Sequence, residues 1–214
     1  MGGLFTKIGK SAAGEYEGEW NAAGVREGRG VMRYVNGNVY DGEWKAGNPW
    51  GRGVLRYANG DVYDGEFKAG LREGRGVMRL ANGNVYDGEW KAGLQEGRGV
   101  YRHASGDVYD GEWKAGEKEG RGVMRYANGN VYDGEWKAGK REGRGVYRYA
   151  NGDVDAVFLK QSLDVGEGVK WVADGRRAAR LRDGKAVEMI SLEEARQTVE
   201  RLGLPLPSPL PGAA

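Results

Sequence analysis

Tyr40-Asp-Gly-Glu-Trp44-Lys-Ala-Gly47, continued by Gly51-Arg-Gly53-Val-Leu-Arg-Tyr57-Ala-Asn-Gly60-Asp-Val62, is one copy of a 23-residue unit that fills residues 16–154. Further copies start at Tyr63, Tyr86, Tyr109 and Tyr132, and a slightly longer first copy starts at Tyr16. A short fixed period marks a stacked array, because one unit cannot bury its apolar face alone and must lay it on a neighbour. Such arrays bind and organise more often than they catalyse.

Each unit reads as two strands. Tyr63-Asp-Gly-Glu-Phe67-Lys68 alternates ring or glycine with acid, the period of a strand, and Gly53-Val-Leu-Arg-Tyr57 runs into a turn at Ala58-Asn59-Gly60. A two-residue Asn59-Gly60 loop would pair Arg56 with Tyr63 and mix polar and apolar residues on both faces. A three-residue loop, with Gly60 left-handed, pairs Leu55 with Tyr63 and Gly53 with Gly65. It sends Gly53, Leu55, Tyr57, Tyr63, Gly65 and Phe67 to one face. Arg52, Val54, Arg56, Val62, Asp64 and Glu66 take the other, with Arg52 opposite Glu66. We take the three-residue register because it sorts the faces. The paired glycines then leave a bare trough in which an aromatic ring can lie.

Composition agrees. The chain has 214 residues, 40 of them glycine, with no cysteine and a formal charge of +2. The strict glycine spacing separates it from a flexible linker. Large aliphatic residues are sparse, and no run approaches the roughly 18 apolar residues of a membrane-spanning helix. Residues 1–13 lack the apolar run of a secretory signal peptide. Without cysteine there is no disulfide, cysteine nucleophile or thiolate metal site. Charges of both signs alternate within every unit, which argues against nucleic acid, whose partners carry a one-sided basic footprint. The same mixing weakens a purely electrostatic attachment to membranes.

The expected fold is therefore an all-β repeat array: an elongated, single-layer antiparallel sheet of stacked β-hairpins with a short C-terminal capping helix. With strands about 4.8 Å apart, six units would extend on the order of 60 Å.

Tyr-x-Gly-x-Trp followed by Gly-x-Gly every 23 residues resembles the MORN repeat (membrane occupation and recognition nexus), in six copies over residues 16–154. Departures are small: Phe67 for Trp, Trp50 for the Glu before the bulk of the glycine motif, and His103 for Tyr. The family's repeats occur in junctophilins, plant phosphatidylinositol-phosphate kinases and radial-spoke and other cytoskeletal proteins, and beside a SET methyltransferase domain. The resemblance implies a cytoplasmic, non-enzymatic scaffold or adaptor, associated with membrane or cytoskeleton, engaging a protein partner, a second copy of itself as a homodimer, or a phospholipid membrane.

Outside the array, residues 1–15 form an N-terminal segment, residues 155–203 a degenerate repeat with a helix, and residues 204–214 a Pro-rich tail. The seventh copy fails because Asp155, Val157 and Leu159 replace Tyr, Gly and Trp. Leu192–Leu202 reads as a helix with Ser191 and Glu194 as a capping box and Gly203 as its stop. Its apolar stripe, Leu192, Ala195, Val199 and Leu202, is expected to cover the last open edge. Leu204-Pro-Leu-Pro-Ser-Pro-Leu-Pro211 is expected to run extended and loose, and fits a polyproline ligand for an SH3-like domain.

The candidate partner-binding groove is the aromatic row Tyr40, Trp44, Tyr63, Phe67, Tyr86, Trp90, Tyr109, Trp113, Tyr132 and Trp136, which must also pack on the glycine troughs. Met1-Gly2-Gly3-Leu4-Phe5-Thr6 matches an N-myristoylation pattern at Gly2, with Lys7 and Lys10 behind it; one acyl chain alone would attach weakly. Acylation at Gly2 and contact with anionic phospholipid would make the chain a membrane tether. Motifs such as Gly28-Arg-Gly30 lack the strand-to-helix setting and Gly-Lys-Ser/Thr ending of a phosphate loop. His103 reads as a tolerated substitution on the apolar face. Asp41, Asp64, Asp87, Asp110 and Asp133 form an acidic row expected to pair with neighbouring arginines. No catalytic constellation, metal site or cofactor motif is legible.

Overall fold

In the computed structural model, which describes residues 4–208, the chain folds as two units, residues up to Ala104 and from Ser105 onward. The first is an open antiparallel sheet of β1 (Phe5–Ser11), β2 (Gly14–Trp20), β3 (Arg26–Tyr34), β4 (Val39–Lys45), β5 (Asn48–Arg56), β6 (Val62–Lys68), β7 (Leu71–Arg79), β8 (Val85–Lys91) and β9 (Leu94–Arg102). Each strand pairs with the next in the chain. The second continues the pattern with β10 (Val108–Lys114), β11 (Glu117–Arg125), β12 (Val131–Lys137), β13 (Lys140–Arg148), β14 (Val154–Lys160), β15 (Leu163–Trp171), β16 (Ala178–Arg182) and β17 (Lys185–Ile190). A single helix, α1 (Leu192–Leu202), follows.

The face-sorting register is the one the chain adopts. Leu55 stands opposite Tyr63, Gly53 opposite Gly65 and Arg52 opposite Glu66. The loop holds three residues: Tyr57 N–H donates to Asp61 O at 2.9 Å, Gly60 N–H donates to Tyr57 O at 3.0 Å, and Gly60 sits at φ +92°. Gly42, Gly53, Gly65 and Gly76 line up across four strands, so the trough runs from hairpin to hairpin.

The connection between hairpins follows a second rule. Ala46 and Gly47 take φ +49° and +81°, a two-residue turn whose twist suits a hairpin. Left-handed alanine costs about 1 kcal/mol. The preceding unit offsets this, since Ala46 N–H donates to Glu27 Oε2 at 3.0 Å and Gly47 N–H donates to Arg26 O at 3.0 Å. On the other side of the sheet, Asn38 Oδ1 accepts from Ala58 N–H at 3.0 Å and Asp61 Oδ1 from Ala81 N–H at 2.8 Å. Successive hairpin loops are thereby tied along both sides.

A bulge interrupts each hairpin. Gly42 faces Gly53 but Trp44 faces Pro49, so Glu43 stands against Trp50-Gly51-Arg52. Gly51 is left-handed at φ +60°, and the Glu43 carboxylate caps the bulge by accepting from Arg52 N–H at 3.1 Å. Glu66, Glu89 and Glu112 do the same for the amides of Arg75, Arg98 and Arg121.

The failed copy changes which face is apolar. Ala156 stands where Asp133 would be and Trp171 where Arg148 would be. With Val169, Ala178 and Ile190 they form a core on which Ala195, Val199 and Leu204 close. The helix begins and ends as the capping box and Gly203 predict. It covers this broad face, packing on β15 and β16, and so differs from the edge cap expected from sequence. The tail differs too. Leu204 and Pro207 are buried, so residues 204–208 are seated on the sheet and are not loose.

Candidate functional site

The aromatic face is built from one tyrosine per unit. A Cβ at Gly53 would lie 2.5 Å from Tyr40 Oη and 2.6 Å from its ring, so the phenol lies flat against bare backbone. Its hydroxyl donates to Glu43 O at 2.8 Å, which fixes the ring along its own strand. The tryptophans bond one strand back: Trp44 Nε1–H donates to Gly30 O at 2.9 Å, and Trp90 and Trp136 donate to Gly76 O and Gly122 O at 3.0 Å.

These rings meet edge to face. In the first unit Trp20, Tyr16, Trp44, Tyr40, Phe67, Tyr63, Trp90 and Tyr86 form one chain with centroids 5.0–5.3 Å apart. In the second, Trp113, Tyr109, Trp136 and Tyr132 continue the motif at 5.1–5.4 Å. Such pairs each add about 0.5–1.5 kcal/mol beyond the area they bury. Burial pushes the Tyr16 phenol up to about 12 and raises those of Tyr40, Tyr63, Tyr86, Tyr109 and Tyr132 as well, so all stay neutral donors. Cations lie on top: the Arg26 guanidinium is 4.5 Å from Trp44, Arg72 is 4.2 Å from Trp90, and the Lys118 ammonium is 5.0 Å from Trp136.

All ten residues of the sequence-derived row, Tyr40 to Trp136, sit in this packing, none more than 7 % exposed. What solvent reaches on the same face is a second row, closer to the hairpin loops. Tyr34, Tyr57, Leu80 and His103 are half-buried in the first unit, and Tyr126 and Tyr149 in the second. His103 tilts against Tyr101 at 4.6 Å, a packing contact in keeping with a tolerated substitution. That row recurs every 23 residues in the sequence and was open to the same reading as the buried one. Between Tyr34, Tyr40, Leu55 and Phe67 lies a cavity of about 170 Å³, where Pro49 replaces the cation of neighbouring units.

Near the second unit's end the face acquires charge. Asp155, in the tyrosine position, is buried, accepts from Tyr149 Oη at 3.0 Å, and lies 3.6 Å from Lys170 Nζ. Burial raises its carboxyl to about 6, with Lys170 and the Tyr149 bond opposing. The remaining acidic row behaves otherwise than expected. Among the described residues no ion pair joins Asp41, Asp64, Asp87, Asp110 or Asp133 to an arginine, because valines stand opposite them in the ladders. Among the described residues no group of three or more His, Asp or Glu is placed to hold a metal ion. No helix there is long and apolar enough to cross a membrane. Gly2 lies outside the described residues.

A ring over a glycine pair, a tryptophan bonded one strand back and a Glu-capped bulge thus recur in register. The MORN repeat pattern matches residues 16–39, 40–62, 63–85, 86–108, 109–131 and 132–154. The chain belongs to the MORN-repeat family. Among solved structures, this MORN array is similar to the G-box domain of the microcephaly protein CPAP, at 13 % identity and a TM-score of 0.53, covering 87 % of this chain and 98 % of that one. It also matches the TCP10 domain of Danio rerio CPAP in complex with a peptide of Danio rerio STIL, at 13 % identity and a TM-score of 0.30, covering 88 % and 99 %. These likenesses concern the fold. No curated protein matches the MORN chain.

Proposed function

We propose that the chain is a non-enzymatic scaffold or adaptor that binds a protein partner, or a second copy of itself, through the aromatic face. One observation carries this. A half-exposed row of Tyr34, Tyr57, Leu80 and His103 stands on a floor of rings locked to backbone carbonyls. Such a surface is rigid before binding, so little ordering entropy is lost on contact, and its rings supply the large contact areas that anchor peptides. A location in the cytoplasm, at membrane or cytoskeleton, goes with this reading.

Peptide-display selection on the purified chain tests it. Selected peptides should lose binding to a Tyr57→Ser/Leu80→Ser variant whose circular dichroism is unchanged. Enriched peptides indifferent to that variant would move the site elsewhere.

A second reading, attachment to anionic membranes, draws on β1 and the residue before it, where Leu4, Phe5 and Ile8 are 50 %, 43 % and 60 % exposed beside Lys7 and Lys10. Flotation of the unacylated chain with anionic vesicles, lost on Phe5→Ser/Ile8→Ser, would support it. A chain that stays unbound leaves any membrane role to acylation at Gly2.

A further inference from the structure

The face opposite the rings carries its own repeat. On each odd strand of the array an Arg-x-Val-x-Arg triplet points to that side: Arg52-Val54-Arg56 on β5, Arg75-Val77-Arg79 on β7 and Arg144-Val146-Arg148 on β13. The first two triplets are free of ion pairs among the described residues, and the nearby Glu43 and Glu66 carboxylates each accept a bulge amide, whereas on β13 Arg144 also pairs with Glu135 at 3.3 Å. Their arginines are exposed and their valines half-exposed.

At β13 the chain itself occupies the triplet. Residues 203–208 run alongside: the Arg144 guanidinium donates to Gly203 O at 3.2 Å and the Arg148 guanidinium to Ser208 O at 2.8 Å. Val146 beneath falls to 6 % exposed and Pro207 is buried, while Leu204 is buried in the neighbouring core of Ala156 and Trp171. The fit follows from elementary chemistry. Two arginines four strand residues apart are separated by about 13 Å, and five residues of extended Pro-rich chain span about 15 Å. Pro205 and Pro207 bring no N–H that would need a partner, so the segment offers carbonyls to guanidiniums and apolar side chains to valine. Beside the tail a cleft of about 320 Å³ continues to Arg121 and Asp133, part of the next unoccupied frame.

We propose that the unoccupied Arg-x-Val-x-Arg frames are docking sites for an extended leucine- and proline-rich segment of another protein chain, seated as residues 203–208 are on β13. This surface is separate from the aromatic face, so either reading stands if the other fails. A polyanion is disfavoured as the occupant because each arginine strand is flanked by strands carrying aspartate and glutamate on the same face.

The test is calorimetric titration of the full chain with a synthetic peptide of residues 203–211. Saturable binding is expected, with fewer peptides bound per chain after Arg52→Gln, Arg56→Gln, Arg75→Gln and Arg79→Gln together. Tyr57→Ser/Leu80→Ser on the other face should leave the titration unchanged, and a peptide with its leucines and prolines replaced by serine should not bind. In a separate chain, Arg144→Gln/Arg148→Gln should unseat residues 204–208 and raise the rate of proteolytic cleavage within them. The proposal is overturned by no saturation at millimolar peptide, equal binding by the serine peptide, full competition by inorganic phosphate, or unchanged cleavage within residues 204–208. Unaltered stoichiometry in the arginine variant would also defeat it.

Discussion

Replacing Gly53 by alanine isolates the contact on which the MORN array depends. The new methyl would sit 2.5 Å from Tyr40 Oη and 2.6 Å from Cζ and Cε2. The ring cannot step aside. It is fully buried, with Trp44 and Phe67 edge-on at 5.1 and 5.0 Å, and its hydroxyl is bound to Glu43 O at 2.8 Å. Forcing a methyl into a filled space costs about 1–3 kcal/mol, and losing the phenol bond about 1 kcal/mol more. Against this, alanine restricts the unfolded chain and returns about 0.4–1 kcal/mol. The net expectation is a loss of about 1–3.5 kcal/mol.

Urea unfolding followed by tryptophan fluorescence measures it, and two comparisons separate the cause. Gly93→Ala, at φ +85° with nothing within 4 Å of the added Cβ, carries backbone strain without a clash and should cost about 1 kcal/mol. In a Tyr40→Ala background Gly53→Ala should cost nothing, since the ring it would strike is gone; the missing cost is the coupling energy of the cycle. Equal destabilisation by Gly53→Ala in both backgrounds would refute the steric account. Repeat arrays can unfold in parts, so the midpoint and the slope are both read.

Two further outcomes follow from departures in the repeat. Phe67→Trp should stabilise the chain by about 1 kcal/mol, because an indole there can donate to Gly53 O as Trp44 and Trp90 do one unit away, with the cavity beside Pro49 to receive it; a lowered urea midpoint would contradict this. Asp155 tests the charged end. Its folded pKa of about 6 lies above the ordinary 3.8, so between those values the folded chain holds a proton that the unfolded chain has lost. Stability from this group is therefore present at pH 4 and falls as pH rises through 6, by on the order of 3 kcal/mol. Asp155→Asn should flatten that slope and raise stability at pH 7 while leaving pH 4 unchanged. An identical pH profile in the two proteins would show that Lys170 and Tyr149 fully compensate the buried charge.

The residues that were easiest to read are those whose role is fixed within one hairpin. Only one register sets Gly53 against Gly65, and the tyrosine two residues before a glycine then covers that glycine and its partner on the following strand, as Tyr63 covers Gly65 and Gly76. Capping by Ser191 and Glu194 is equally local. Burial of the ten rings was harder to foresee, because it depends on tryptophans reaching across to a carbonyl of the preceding strand, a contact that leaves no mark on strand alternation. The bulge hid for a related reason. Gly51-Arg-Gly53 reads as ordinary strand, and Glu43 reads as a cross-strand partner for Arg29, whereas its carboxylate finds the Arg52 amide. An arginine with valine opposite it on both neighbouring strands can donate to a carbonyl brought alongside, and Arg148, between Val131 and Val154, does so with Ser208. Loose-tail and edge-cap expectations both failed because the seventh copy was read as a loss of pattern. Taken one face at a time it is a substitution: Ala156 and Trp171 replace Asp133 and Arg148, and the arginine face becomes apolar where α1 and Leu204 must land.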